Sequence, residues 1–133
     1  MSAASSLQRA IFEALSADAA LAAITGPDGI TDRLVRGRAG PLVRIAGIES
    51  RDHSTGTEKG EEHLVRLECR SGEGGHRTVA DMAARLSAVL DDAALPLAGY
   101  ALVNIRHRTT KVRRDGAAKG HVAELVFRAV TES

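Results

Sequence analysis

The sequence has few aromatic residues and no strong excess of charge of either sign. Its 133 residues include one tyrosine, two phenylalanines and no tryptophan, which together make up 2% of the chain. Proteins that stack nucleic-acid bases on aromatic rings need more such side chains, so a stacking platform is not expected. The formal net charge is +1, from 18 basic and 17 acidic residues. This balance argues against a protein that coats DNA, because such a protein carries a large positive excess.

Cysteines and long hydrophobic runs are also scarce. The one cysteine, Cys69, excludes an intramolecular disulfide and predicts a reducing compartment. No stretch approaches the roughly 20 apolar residues of a membrane-spanning helix. Residues 1–6 (MSAASS) lack the basic and apolar regions of a signal peptide. The sequence therefore predicts no membrane association.

Apolar residues are nevertheless plentiful, at 44%, and their spacing near the start of the chain predicts two helices. Leucine, isoleucine and alanine side chains from Leu7 to Leu15 recur at helical spacing and form one apolar stripe. Ser5 and Gln8 have the spacing of a capping box at the start of this helix. Asp18 is a good cap for a second, short helix, which residues 25–29 (TGPDG) end.

The rest of the chain predicts two strand pairs and a longer helix. Residues 42–48 and 61–70 are predicted strands, and the polar residues 50–60 between them are a predicted loop. In the second strand, alternation places four side chains on the buried face: His63, Val65, Leu67 and Cys69. An amphipathic helix with an apolar face from Val79 to Leu90 follows, with Thr78 as its expected cap.

The last third of the sequence predicts a β-hairpin. Its first strand covers residues 100–112, and residues 113–120 form the turn, with Asp115 and Gly116 at its centre. The return strand is expected to place four side chains inward: Ala123, Leu125, Phe127 and Ala129. Val103 and Ile105 are expected on one face of the first of these strands. The order α-α-β-β-α-β-β predicts one α+β domain over residues 1–133. In it, a mostly antiparallel sheet of about four strands is covered on one face by the long helix.

Motifs for catalysis, cofactors and metals are not found. Residues 55–60 (TGTEKG) and 71–77 (SGEGGHR) are rich in glycine, but they lack the spacing of phosphate- or dinucleotide-binding loops. No two of the five histidines have the close spacing of metal ligands. Neighbouring strands could bring His63 near His107, although a structural histidine is far more common than a ligand. No catalytic residue, cofactor or metal is therefore predicted.

The one local excess of charge is in residues 106–119 of the last hairpin, where six basic residues are opposed within that stretch by Asp115 alone. They are Arg106, Arg108, Lys111, Arg113, Arg114 and Lys119. Such residues can be solvated charges that discourage an exposed edge from pairing with other chains. They can also form an electrostatic docking surface for an acidic partner, either a protein or a phosphate. The sequence leaves both interpretations open.

Several stretches together resemble one family, the tail completion or tail terminator proteins of siphophages and of bacterial gene transfer agents. The resemblance covers roughly residues 5–132, and the order and spacing of the stretches carry it. They are residues 15–21 (LSADAAL), 41–43 (PLV), 51–55 (RDHST), 60–63 (GEEH) and 126–132 (VFRAVTE). The sequence departs from the family pattern in having no aromatic residue near His53 or Cys69.

This resemblance implies a structural protein rather than an enzyme. Such subunits form a ring, commonly a hexamer, on the last ring of the tail tube, where they stop tube polymerisation. The ring contacts the tube protein and the head-tail connector, and DNA passes through its central hole. The implied locations are the bacterial cytoplasm during assembly and the tail of a phage-like particle afterwards.

Charge and loop position, rather than the resemblance, select the candidate assembly interface. Its residues are Arg51, His53, Lys59, Arg106, Arg108, Lys111, Arg113, Arg114 and Lys119. Two other functions remain open from the residues alone. One is a small nucleic-acid-binding module that uses the basic hairpin at residues 106–119. The other is an α+β domain that binds a ligand or catalyses a reaction.

Overall fold

A computed structural model describes residues 2–26, 28–31, 40–72, 75–116 and 120–133. It contains three helices and five strands, which confirms the α+β class. In chain order they are α1 (Ala3–Ser16), α2 (Ala19–Thr25), β1 (Ile30–Thr31), β2 (Leu42–Asp52), β3 (Gly60–Ser71), α3 (His76–Leu90), β4 (Ala101–Asp115) and β5 (Gly120–Glu132). The strand β1, of two residues, was not predicted.

The strands form one sheet in the order β1-β2-β3-β5-β4. β1 is parallel to β2, and all other neighbours are antiparallel. β3 and β5 are therefore central, while β4 is an edge strand. At one end of the sheet, Gly60 and Ala101 both align with Glu132, so the β2–β3 loop lies at that end. The β4–β5 turn, which follows Asp115, lies at the opposite end.

The helices cover one face of this sheet. α1 and α3 contact the strands and each other, and α2 packs against both helices. The apolar faces predicted for α1 and α3 are confirmed, since Leu7, Ile11, Leu15 and Leu86 are fully buried. In β3, alternate side chains from His63 to Cys69 are buried beneath the helices. In β5, alternate side chains from Ala123 to Ala129 are buried in the same way. The opposite face of the sheet has no helix over it among the described residues, and it is called the open face below.

The starts of α1 and α3 differ from the predictions. The cap of α1 is Ser2, whose Oγ accepts a hydrogen bond from the Ser5 backbone N–H at 3.1 Å. Ser5 is therefore inside the helix. The cap of α3 is Gly75, and Thr78 is a helical residue. The predicted cap of α2 is confirmed, because the Asp18 carboxylate accepts from the Leu21 N–H at 3.0 Å. Several good capping residues in a row cannot be distinguished by sequence, since packing against the sheet decides where each helix begins.

The second strand pair is longer than predicted. β2 continues to Asp52 and β3 begins at Gly60, so the loop is limited to residues 53–59. In the last hairpin, β4 has a β-bulge at Val103, between the paired residues Leu102 and Asn104. The bulge overturns the prediction that Val103 shares a face with Ile105: Val103 is 49% exposed, whereas Ile105 is fully buried.

Candidate assembly surface

The predicted interface residues lie in two regions rather than one. Arg51 is near the end of β2, and His53 and Lys59 are in the β2–β3 loop at one end of the sheet. The others are distributed along the edge strand β4: Arg106, Arg108, Lys111, Arg113 and Arg114. All eight of these residues are exposed, and Lys119 lies outside the described residues. The set therefore does not form one continuous basic patch.

Arg51 and Arg108 meet at a depression on the open face. Leu64, Glu62 and Arg128 also line it. Arg108 reaches this position because a second β-bulge in β4, between the paired residues His107 and Thr109, leaves it without a partner in β5. No other pair of predicted interface residues is brought together in this depression.

Glu62 is the centre of the charge network in the depression. It accepts a hydrogen bond from Arg128 Nε at 2.6 Å through Oε2, and Arg51 Nε contacts its Oε1. The hydrogen bond from Arg128, and then the one from Arg51, holds the pKa of this carboxyl below its ordinary value. Glu62 therefore stays ionised and links β2, β3 and β5. Sequence analysis missed this network, because the contact between Glu62 and Arg128 depends on β3 pairing with β5.

A second group of ion pairs holds the open face near the β4–β5 turn. Arg70 Nε contacts Glu68 Oε2, and Arg70 Nη1 contacts Asp115 Oδ2, both at 3.1 Å. Arg44 Nη1 lies 3.3 Å from the same Glu68 oxygen. Asp115 therefore pairs with Arg70 of β3. The sequence suggested that Asp115 balances the cations of the hairpin, but its charge is shared with this arginine.

The cations of β4 fall into paired and unpaired groups. Arg106 Nε lies 3.3 Å from Asp91 Oδ1, and Arg113 Nη2 lies 3.0 Å from Glu124 Oε1. The prediction that Asp115 alone opposes these cations is thus wrong, because Asp91, which directly follows α3, and Glu124 of β5 pair with two of them. Arg108, Lys111 and Arg114 have no ion-pair partner within the part of the chain that the structure describes. We call these three residues the basic strip.

The residues best suited to chemistry are inside the fold. Cys69 is fully buried on the helix-covered face, as predicted, and burial raises the pKa of its thiol to about 12. His63 is also fully buried, and burial lowers its pKa. Its Nδ1 lies 2.7 Å from Ser50 Oγ, and its Nε2 lies 2.9 Å from Thr131 Oγ1. The Cys69 and His63 side chains are therefore both part of the buried interior of the protein.

His63 and His107 are not neighbours, contrary to the possibility that the sequence left open. β5 lies between β3 and β4, so His63 aligns with Ala129 and His107 with Phe127. The His107 ring instead packs edge-on against Phe127, with the ring centroids 5.5 Å apart. No group of three or more His, Cys, Asp or Glu side chains that could hold a metal occurs in the described ranges. In those ranges, too, no helix is both long and apolar enough to span a membrane.

The family model of Tail completion protein gp17 matches residues 9–132, which is nearly the whole chain. The chain belongs to this family. Its structure is also similar to that of a chain in the virion of a native gene transfer agent particle. That similarity has a TM-score of 0.89 and 32% sequence identity, and it covers 98% of this chain and 97% of the other. No curated protein matches the sequence.

Membership of this family confirms the resemblance found in the sequence and gives the chain a structural role as a tail terminator. The fold suits such a role. Some of its charged side chains link strands to one another, as Glu62 does, and others are exposed on the edge strand, as in the basic strip. The charged surface thus has one part that links strands of the subunit and another that is exposed on its edge strand.

Proposed function

We propose that copies of this chain form a closed ring at the head-proximal end of a phage-like tail tube. In this position the ring stops the polymerisation of the tube protein and joins the tube to the head-tail connector. A ring of six is expected from the family resemblance, with DNA passing through its central hole. The subunit would assemble in the bacterial cytoplasm and remain in the tail of the finished particle.

The observation that carries this proposal is the similarity to a chain of a gene transfer agent virion. The similarity extends over 98% of this chain, so it includes the edge strand and both hairpins as well as the core. At 32% identity and a TM-score of 0.89, the two chains share one fold, which supports the proposal that corresponding surfaces contact neighbours. A protein with this arrangement is expected to occupy a corresponding place in its own particle.

We also propose that the chain acts without bond-making chemistry. The Cys69 thiol is buried and has a pKa of about 12, so almost none of it is the nucleophilic thiolate near neutral pH. Both ring nitrogens of His63 have hydroxyl partners in neighbouring strands. Termination needs only a surface that binds the end of the tube and does not present the next binding site for tube protein.

Deletion of the gene tests the proposed role. Particles made without the chain should have tube polymers of abnormal, uncontrolled length, or tails that fail to join heads, in negative-stain micrographs. Supplying the gene on a plasmid should restore the normal length and joining. Tails of normal length that are joined to heads in the deletion strain would contradict the proposal.

A further inference from the structure

The two regions of predicted interface residues have opposite electrostatic character. The basic strip on β4 has three exposed cations spaced three residues apart, which corresponds to about 10 Å along a strand. Register places Lys111 opposite Glu124 and Arg114 opposite His121 in β5. Their side chains therefore emerge on opposite faces of β4. The strip follows the outer edge of the sheet, where no described strand covers it.

The end of the sheet that carries the β2–β3 loop is acidic. Asp52 and Glu58 are exposed, and neither forms an ion pair with a cation among the described residues. The Asp52 carboxylate accepts a hydrogen bond from Ser54 Oγ at 2.6 Å, which leaves its charge unbalanced. Glu61 lies 3.7 Å from His63 Nε2, but burial keeps that ring neutral. We call Asp52, Glu58 and Glu61 the acidic tip; Lys59 is the one lysine or arginine between its first and last residues.

Most of the acidic tip and the strip are separated within one subunit. The tip lies at the end of the sheet where β4 begins, because Gly60 and Ala101 both align with Glu132. Lys111 and Arg114 lie toward the other end, next to the β4–β5 turn. β3 and β5 also stand between β2 and β4. Among the described residues, the opposite charges of strip and tip therefore do not neutralise each other inside the subunit.

We propose that the basic strip of one copy binds the acidic tip of the next copy, and that this contact closes the ring. The inference rests on the proposed function, in that it concerns how copies of the chain meet. A ring needs a contact between two different surfaces of the same molecule, repeated around an axis. The strip and the tip are two such surfaces, and their arginine, lysine and carboxylate groups form charge-assisted hydrogen bonds.

The tip is a better partner for the strip than DNA is. The strip has only three unpaired cations, and they emerge on both faces of an edge strand rather than along one surface that a phosphate backbone could follow. The tip supplies carboxylates in the same number. Contacts of this kind contribute more to the choice and orientation of the partner than to affinity, and salt weakens them.

Charge reversal tests this contact. One variant has Lys111→Glu and Arg114→Glu, and the other has Asp52→Lys and Glu58→Lys. Each alone should reduce the assembled fraction at least tenfold, because like charges then meet at every contact between copies. An equal mixture should restore assembly, since each reversed strip then meets a reversed tip and each native strip a native tip. The restored rings should contain equal numbers of the two variants.

The measurements are native mass spectrometry of the full chain at low ionic strength and tail length in a deletion strain that expresses one variant or both. Thermal melts check that each variant folds. The matched control for the strip variant carries Arg9→Glu and Arg66→Glu, which lower the net charge by the same amount at side chains that are 68% and 56% exposed and outside the strip. It should assemble like the native chain.

Three results would overturn the contact. The reversed variants could assemble normally, the mixture could fail to restore assembly, or strip reversal could abolish DNA binding and leave assembly unchanged. In each case the native chain still forms a ring and terminates tails, so the proposed function stands. A native chain that forms no ring in solution and none on tubes would instead contradict the proposed function, and this contact with it.

Discussion

β3 and β4 lie on either side of β5, yet the two strands have different surroundings. In β3, alternate side chains from His63 to Cys69 are fully buried, and Glu62 is bonded to arginines of β2 and β5. In β4, only Ile105 is fully buried, and most side chains from Arg106 to Arg114 are exposed. The difference indicates that β3 mainly stabilises the subunit, and it supports the proposal that β4 presents groups to partners. Substitutions in β3 should therefore affect folding, and substitutions in β4 should affect assembly.

The largest expected effect is from removing a buried side chain of β3. Leu67 is fully buried, so Leu67→Ala should lower the free energy of unfolding by about 2–5 kcal/mol through lost burial and the cavity left behind. The matched substitution in β4 is Val112→Ala, at a side chain that is 37% exposed. It should cost less than about 1 kcal/mol. Urea denaturation measures both, and similar losses at the two sites would contradict the contrast between the strands.

A pH-dependent effect is expected from His63 in β3. Burial lowers its pKa from the ordinary value of 6.5, so below that pH the unfolded chain binds a proton that the folded chain does not. This contribution to stability is complete above pH 6.5 and is lost as the pH falls through the lowered pKa. His63→Gln should flatten the fall in melting temperature on acidification in that range. An unchanged pH profile in the variant would show that His63 does not cause it.

A smaller effect on stability, with a clear effect on assembly, is expected from Arg113 and Arg114 in β4. Arg113 and Glu124 form an ion pair with about two fifths of each side chain exposed, and Arg114 is exposed and has no ion-pair partner in the part of the chain that the structure describes. Replacing both arginines by alanine should change the free energy of unfolding by less than about 1 kcal/mol. It should nevertheless weaken assembly, most at low salt. A variant that melts normally and still makes tails of normal length, joined to heads, would show that these two arginines are only a solvated surface.

The smallest expected effect is on DNA binding. With a net charge of +1 and three cations on β4 that lack ion-pair partners among the described residues, the isolated chain should bind free DNA only in the non-specific range, with a Kd of about 10⁻⁴–10⁻⁶ M at physiological salt. The affinity should fall steeply as salt is added. Fluorescence anisotropy with a labelled duplex measures it. Tight, sequence-selective binding that resists salt would instead assign β4 to nucleic-acid recognition.

Periodicity in the sequence was sufficient to predict the elements that carry the core. The apolar stripe of α1, the alternation in β3 and the inward face of β5 each repeat over enough residues to be recognised. β1 has only two residues, so no period can be read from it. The bulge at Val103 changes the alternation of β4 without any glycine or proline to mark it. The separation of His63 from His107 arises because β5 lies between β3 and β4. The periodicity of a single strand does not reveal this order of strands.

The candidate surface was predictable only in part. Charge alone selected Arg108, Lys111 and Arg114, which are indeed exposed and lack ion-pair partners among the described residues. Charge could not separate them from Arg106 and Arg113, because Asp91 and Glu124 become partners only after the chain folds. It also grouped Lys59 with the basic residues of β4, although Lys59 lies among acidic side chains at the other end of the sheet.

The central claim, that this chain occupies the junction between tail and head, is tested most directly by locating it in finished particles. Antibodies raised against the purified chain, coupled to gold, can be applied to intact particles and to detached tails. The account predicts gold at the head-proximal end of detached tails and at the head-tail junction of intact particles. Gold distributed along the tube, or confined to the distal tip, would contradict it.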